Sequence, residues 1–470
     1  MMRKSIFILS VLLILIGGGC AVGPDFTRPE VYTEEAFRFD PILKDSTEVL
    51  AWWEIFEDPE LDTLIARALR NNKDVRIAAA RVAQSWAAVG FYRADMYPKV
   101  DVSAGAMRGN FSGAQMPLQN NFFGVAQLAW ELDFWGKYRR ATEAARAELL
   151  ASEYGMRSVQ ISLIGAVTIN YFQLLDFRKR LEISKNTLEA RDSSLDIIRE
   201  RFYEGIIPEL DVNQAEIQRA VAAAAVPLYK RQIAYTENAL SILLGENPGE
   251  VITEKQLTDY EPLQEIPPGL PSLLLERRPD IRQAEELYRA QNARIGVAVA
   301  MRFPTISLTG ALGAASSSLV SLNTGALAWS VSGSLLGPIF NFNKNKRRVD
   351  IERARAEEYL LQYENTVLNS FREVEDALIE ISTLKEELAA REQQVMAATN
   401  AEELSQLRYD RGVTSYLEVL ETQRSSFDAQ IAYSQVYQEL LSSYINFYRT
   451  LGGGWISPEE KEAAEQAEEE

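Results

Sequence analysis

The 470-residue chain has no histidine and one cysteine, Cys20. Histidine general bases, Ser-His-Asp and Cys-His nucleophiles and His-ligated zinc are therefore excluded, as are an intrachain disulfide and a cysteine metal cluster. Carboxylates remain: Asp58 with Glu60, Glu373 with Glu375 and Asp376, and Glu402 with Glu403. Two carboxylates can serve as acid and base, but these lie in charge-rich helical stretches and read as solvated faces. One other set is different in kind. Just beyond Gly412, Leu417, Glu421 and Arg424 recur at i, i+4 and i+7 and so share one helical face. With Lys+Arg 49 against Asp+Glu 67, the net charge of −18 repels phosphate, and nucleic acid is not expected as a partner. The sequence predicts no enzyme, no metal and no cofactor.

The elements that would hold such a face begin with an address. Arg3 and Lys4 precede an apolar run from Ile6 to Ile16, and Gly17, Gly18 and Gly19 lead to Cys20. A basic start, a short apolar core and small residues at its end make a secretory signal over residues 1–19. The cysteine stands where the signal would be cut, as in a bacterial lipoprotein box, with Gly17 in place of the usual aliphatic residue. Cys20 is thus the expected lipid attachment site, carrying a diacylglycerol and an acyl chain. Ala21 follows it rather than Asp, which in such lipoproteins implies delivery to the outer membrane.

The rest of the chain is written twice. Asp74-Val75-Arg76 returns as Asp280-Ile281-Arg282, Tyr97-Pro98 as Phe303-Pro304, Gly205 as Gly412, and Leu243-Leu244-Gly245 as Thr450-Leu451-Gly452. Each half orders its patterns alike: a helix, two alternating segments, a very long helix, a glycine turn and a returning helix. Val100, Val102, Ala104 and Ala106 alternate with polar residues, as do Leu128, Trp130 and Leu132; Ile306, Leu308 and Leu312, then Leu327, Trp329 and Val331, do the same. The Gly/Ser/Asn-rich stretches 109–121 and 313–325 read as hairpin loops. From Lys344 to Arg411 there is neither Gly nor Pro, which predicts a rod of about 100 Å. Segment 137–204 is its counterpart, and Gly205 and Gly412 end the two rods as helix-tip turns.

The expected organisation is a signal (1–19), an acylated N-terminal segment (20–59), a first repeat (60–245), a linker (246–271), a second repeat (272–456) and an acidic disordered tail (457–470). Strands are expected at about 99–134 and 304–340, and long helices at about 137–244 and 344–451. The alternating segments are close to the 9–11 residues that cross a bilayer as tilted strands. Four strands cannot close a barrel, and open edges are not tolerated in hydrocarbon. If they span a membrane, the protein oligomerises. Lys344, Lys346, Arg347 and Arg348 would then mark the membrane–periplasm junction, a plain soluble surface being the equal alternative, and Trp130, Trp135 and Trp329 an interfacial belt or core positions.

Cys20-Ala21-Val22-Gly23-Pro24-Asp25-Phe26-Thr27-Arg28-Pro29, Trp52-Trp53, Glu131-Leu132-Asp133-Phe134-Trp135-Gly136, Glu276-Arg277-Arg278-Pro279-Asp280-Ile281 and Leu451-Gly452-Gly453-Gly454-Trp455 carry a resemblance. Over residues 20–456 the chain resembles the TolC outer-membrane factor superfamily, and within it the NodT/OprM-type efflux lipoproteins. The resemblance implies a membrane α+β fold of two tandem repeats of helix, β-hairpin and long helical hairpin. It further implies a homotrimer, in which a 12-strand β-barrel in outer-membrane lipid is continued by a 12-helix periplasmic α-barrel. A periplasmic adaptor (membrane fusion) protein and an inner-membrane pump, of the RND type, are the implied partners. In such efflux channels the positions matching Leu417, Glu421 and Arg424 form the constrictions and linkages of the periplasmic gate, usually with Asp where Glu421 stands. The implied function is a passive exit duct for drugs or metals. A duct for protein secretion, a lipid-anchored periplasmic coiled-coil scaffold and a hydrolase with paired carboxylates are the alternatives.

Overall fold

A computed structural model describes residues 21–31, 37–38, 52–109, 119–261, 274–322 and 327–453. The signal segment, Cys20, Gly454-Trp455 and the acidic tail lie outside the described residues. Among the described residues the chain is predominantly helical, with one antiparallel sheet. In order it forms α1 (Pro59–Asn71), α2 (Lys73–Ala94), β1 (Lys99–Gly109), β2 (Gln119–Leu132), α3 (Lys137–Tyr203) and α4 (Glu209–Leu243). Then follow the single-turn α5 (Leu274–Arg277), α6 (Pro279–Ala300), β3 (Thr305–Ser316), β4 (Ala328–Leu336), α7 (Lys344–Asp410) and α8 (Tyr416–Thr450). Paired elements match in length: α3 and α7 have 67 residues each, and α4 and α8 have 35 each. Two compact units form, one from Met1–Val31, Ala80–Tyr154 and Arg282–Thr366, the other from Tyr32–Ala79, Gly155–Ile281 and Val367–Glu470.

The first unit holds the sheet, in the order β1-β2-β3-β4. Here β3 continues to Ser316, beyond the position where its Gly and Ser content suggests a loop. The small residues serve the pairing. Gly313 faces Val125 across the ladder, and a Cβ there would lie 2.4 Å from the Gly124 carbonyl oxygen. At the foot of the sheet the Glu131–Gly136 phrase acquires physical content. Asp133 accepts hydrogen bonds from the Tyr138 and Arg139 amides and so caps α3. Trp135 stacks on Phe303 at 4.5 Å and donates to the Pro304 carbonyl. The stretch that follows Cys20 is strapped down within the same unit. Val22 donates to the Trp135 carbonyl, Asp25 pairs with Arg140 at 2.6 Å, and Arg28 pairs with Glu285 at 3.2 Å.

The second unit is built on an aromatic core of Trp52, Tyr171, Phe172 and Tyr448, with Leu61, Ile65, Leu174, Leu240 and Ile445. Asp58 is an exception to the solvated acidic pairs, being 1% exposed. It caps α1 through the Glu60 and Leu61 amides and accepts the Tyr171 and Tyr260 hydroxyls. Burial alone would push its carboxyl up, but these donors outweigh burial and hold it below the ordinary Asp value. Among the described helices, α3 alone has the length and apolar content of a membrane span. More than half of that stretch is buried within the fold, as in a core helix.

Candidate functional site

Two features stand out: a sheet with an uncovered apolar face, and a pair of near-identical helix tips that carry different chemistry.

The sheet register decides which side chains share a face. Val100 pairs with Leu128, Leu128 with Gly310, and Gly310 with Val331; Val102, Ala126, Leu312 and Trp329 form the next row. Leu132, Ile306 and Leu335 form a third. Side chains directly opposite across a ladder point the same way, so the apolar rows of all four strands merge into one surface. The other surface carries Asp101 with Gln127, Glu131 with Ser307 and Ser334, and Thr309 bonded to Ser332. In a soluble sheet the apolar side is covered. Here Val102 is 79% exposed and Trp329 75% exposed, and every residue of β4 is exposed. The outer edges of β1 and β4 have no strand partner among the described residues. Of the tryptophans, Trp329 stands on the apolar surface; Trp130 lies on the same register row as Leu308 but turns its indole N–H to the Met96 carbonyl.

The two helix tips belong to the second unit. After α3, Gly205 adopts φ 76°, with its amide on the Phe202 carbonyl and the Ile206 amide on that of Arg201. After α7, Gly412 adopts φ 70°, with the same bonds to Tyr409 and Arg408. This is the left-handed C-terminal cap that satisfies the last helical carbonyls. A Cβ at either glycine would meet no atom of the described residues within 4 Å, so the requirement for glycine there is one of backbone conformation. Behind the turns Leu195, Ile198, Ala215, Tyr416, Val419 and Leu420 pack together. Burial there pushes the Tyr416 hydroxyl up to about 12.

Just past the second turn Leu417 is 61% exposed. Glu421 and Arg424 form an exposed ion pair at 2.7 Å, so the structure brings this pair together on the face that also bears Leu417. Glu418, not singled out by spacing alone, ties the tip: it pairs with Arg408 at 3.0 Å and accepts the Thr414 hydroxyl. Arg201 of the first tip lies over the Tyr409 ring of the second. The carboxylates of the Glu373 cluster have structural duties. Glu373 pairs with Arg278, Glu375 accepts the Arg38 amide, and Asp376 pairs with Arg372. Among the described residues no group of His, Cys, Asp and Glu is placed to hold a metal ion.

A family model described as outer membrane efflux protein matches the chain twice, over residues 64–246 and 270–453. The solvent efflux pump outer membrane protein SrpC of Pseudomonas putida is 35% identical over 460 residues, covering 95% of this chain and 98% of SrpC. Outer membrane protein OprJ of Pseudomonas aeruginosa is 33% identical over 470 residues, with 97% of each chain covered. Among solved structures, the open-state crystal structure of the Neisseria gonorrhoeae MtrE outer membrane channel matches with a TM-score of 0.84 at 28% identity, covering 93% of this chain and 98% of MtrE.

Proposed function

We propose, for a chain that belongs to the outer membrane efflux protein family, that three copies join their sheets into a twelve-stranded barrel. The protein is the outer-membrane component of an efflux pump and resides in the outer membrane of a Gram-negative cell. One observation supports closure of the sheet by further copies of the chain: four strands with a continuous apolar face, a polar face and two edges that are open among the described residues. In lipid each edge must find another strand, and copies of the same chain supply it when β1 of one meets β4 of the next. Strands of 9 to 14 residues suffice to cross the hydrocarbon when tilted. An exposed stripe on α4 supports lateral helix contacts: Val221, Leu228, Tyr235 and Ile242 recur every seven residues and are all uncovered.

On this reading the long helical hairpins of three copies make a twelve-helix periplasmic duct. Leu417 and Glu421 form an apolar and an acidic ring at its mouth, with Arg424 paired to the acid. The duct works passively; energy comes from an inner-membrane pump of the RND type through a periplasmic adaptor. Small molecules of the kinds named for the relatives, solvents and antibiotics, are the proposed cargo. Cys20 carries the lipid, and the strap at Val22, Asp25 and Arg28 fixes the anchored end to the base of the sheet. The mass of the detergent-extracted particle tests the assembly. A trimer is expected; a stable monomer whose four strands all resist hydrogen exchange would contradict it. Cys20→Ser should release unacylated protein, and acyl chains persisting in its mass spectrum would remove the anchor assignment.

A further inference from the structure

Within the second unit a cavity of about 390 Å³ lies among α3, α7, α8 and the turn at Leu257. Its size is at the lower end for small-molecule sites. Arg191 of α3 lines it and is only 3% exposed. The guanidinium lies over the Phe427 ring at 5.3 Å, and its Nη1 donates to the Gln218 carbonyl at 2.5 Å. The other edge is unmatched: Nε and Nη2 are buried and have no hydrogen-bond partner among the described residues. These two groups form the side-on fork that fits both oxygens of a carboxylate. Buried charged donors are normally paired, because an unpaired one loses its hydration without return. Burial also lowers the affinity of Arg191 for its proton, although Glu402 and Asp428 act in the opposite sense. Neither of those carboxylates reaches it as an ion pair.

The walls define what fits. Ile183, Leu257, Val395, Phe427 and Tyr437 are apolar or aromatic, while Glu402 also borders the space. Lys179 is already engaged with Glu182 at 3.0 Å, so among the described residues Arg191 is the one lining cation without an acidic partner. One cation beside one uncompensated acid favours a single negative charge over a dianion such as phosphate. We propose that this cavity binds a small organic monoanion, a carboxylate on a short apolar or aromatic body, held by the guanidinium of Arg191. The site is separate from the proposed gate: on α8 its lining residues Gln423, Ser426 and Gln430 turn away from the face bearing Leu417 and Glu421. The inference goes beyond the exit-duct reading and does not rest on it.

Benzoate is the probe, titrated into the purified full-length protein in detergent and read by saturation-transfer NMR, with benzylammonium as the charge-reversed control. A ligand of this size is expected to bind with a dissociation constant on the order of 1 mM. Arg191→Gln should weaken benzoate at least about tenfold, while Glu402→Gln, which removes the facing negative charge, should tighten it about threefold. If Arg191→Gln does not assemble, the Glu402→Gln comparison decides alone. Tightening supports the site, and unchanged affinity refutes it. Absence of saturable benzoate binding, equal binding of benzylammonium, or indifference to Arg191→Gln in a folded protein would each overturn the proposal.

Discussion

The two repeats close in the same way and finish with different chemistry. At the base of the first hairpin, the Asn72 side-chain amide donates to the Leu243 carbonyl at 2.9 Å. At the corresponding place in the second, the Arg278 guanidinium donates to the Thr450 carbonyl at 3.0 Å. Beside each clamp a left-handed glycine lets the backbones approach: a Cβ on Gly245 would meet Asn71, and one on Gly452 would meet Arg277. At the far ends Gly205 and Gly412 make identical caps. Yet the faces beyond them have diverged. Leu210, Gln214 and Ile217 of the first repeat stand 207 residues before Leu417, Glu421 and Arg424 (417 − 210 = 207). One tip presents an uncharged face and the other an ion pair. The turn geometry is the same at both tips, and the ion pair stands at one only. That is the pattern expected if the second tip alone carries the acidic ring.

Substitutions at matched positions of the two repeats test this contrast. The largest effect is expected from Leu417→Ala combined with Glu421→Ala, which should loosen the mouth enough to sensitise cells to large antibiotics such as vancomycin. The matching pair Leu210→Ala and Gln214→Ala should leave sensitivity near that of the parent, so equal sensitisation would erase the distinction between tips. The base clamps differ next. Arg278→Ala strands the Asp280 and Glu373 carboxylates and should cost about 2–3 kcal/mol, allowing for the partial solvation of both acids. Asn72→Ala removes the bond to Leu243 and the cap on the Asp74 and Val75 amides. It should cost about 1–2 kcal/mol, and chemical denaturation would order the two. Transplanting charge with Gln214→Glu should raise cation selectivity by up to about fivefold, from ~1 kcal/mol of added ion attraction. Smallest are Gly205→Ala and Gly412→Ala, about 1 kcal/mol each. Their thermal shifts should agree, since the two turns are alike and neither Cβ would clash.

Much of this was legible in the residues themselves. The absence of Gly and Pro from Lys344 to Arg411 leaves nothing to interrupt α7, and alternation at Val100 and Val102 or Trp329 and Val331 marks strands. Helical spacing put Glu421 and Arg424 on one face, and an ion pair at 2.7 Å lies there. What spacing did not contain is tertiary. The β2–β3 pairing that welds the two repeats into one sheet joins residues far apart in sequence, such as Trp130 and Leu308. Glycines of β3 resembled a loop because their role, close backbone approach, exists only once the strands are paired. Asp58 looked like one half of an exposed acidic pair because its partners Tyr171 and Tyr260 lie more than a hundred residues away. Arg191 gave no local signal, since a lone Arg within a charged helix is ordinary until its surroundings exclude water.

The central claim is that the second tip, and not the first, forms the narrowest point of an outer-membrane duct. Single-channel recording of Leu417→Ala beside Leu210→Ala, each reconstituted in the same planar bilayer, tests it most directly. The account predicts a raised conductance for Leu417→Ala and a conductance equal to the parent for Leu210→Ala. Equal changes in both variants, or no change in Leu417→Ala at normal trimer levels, would contradict it.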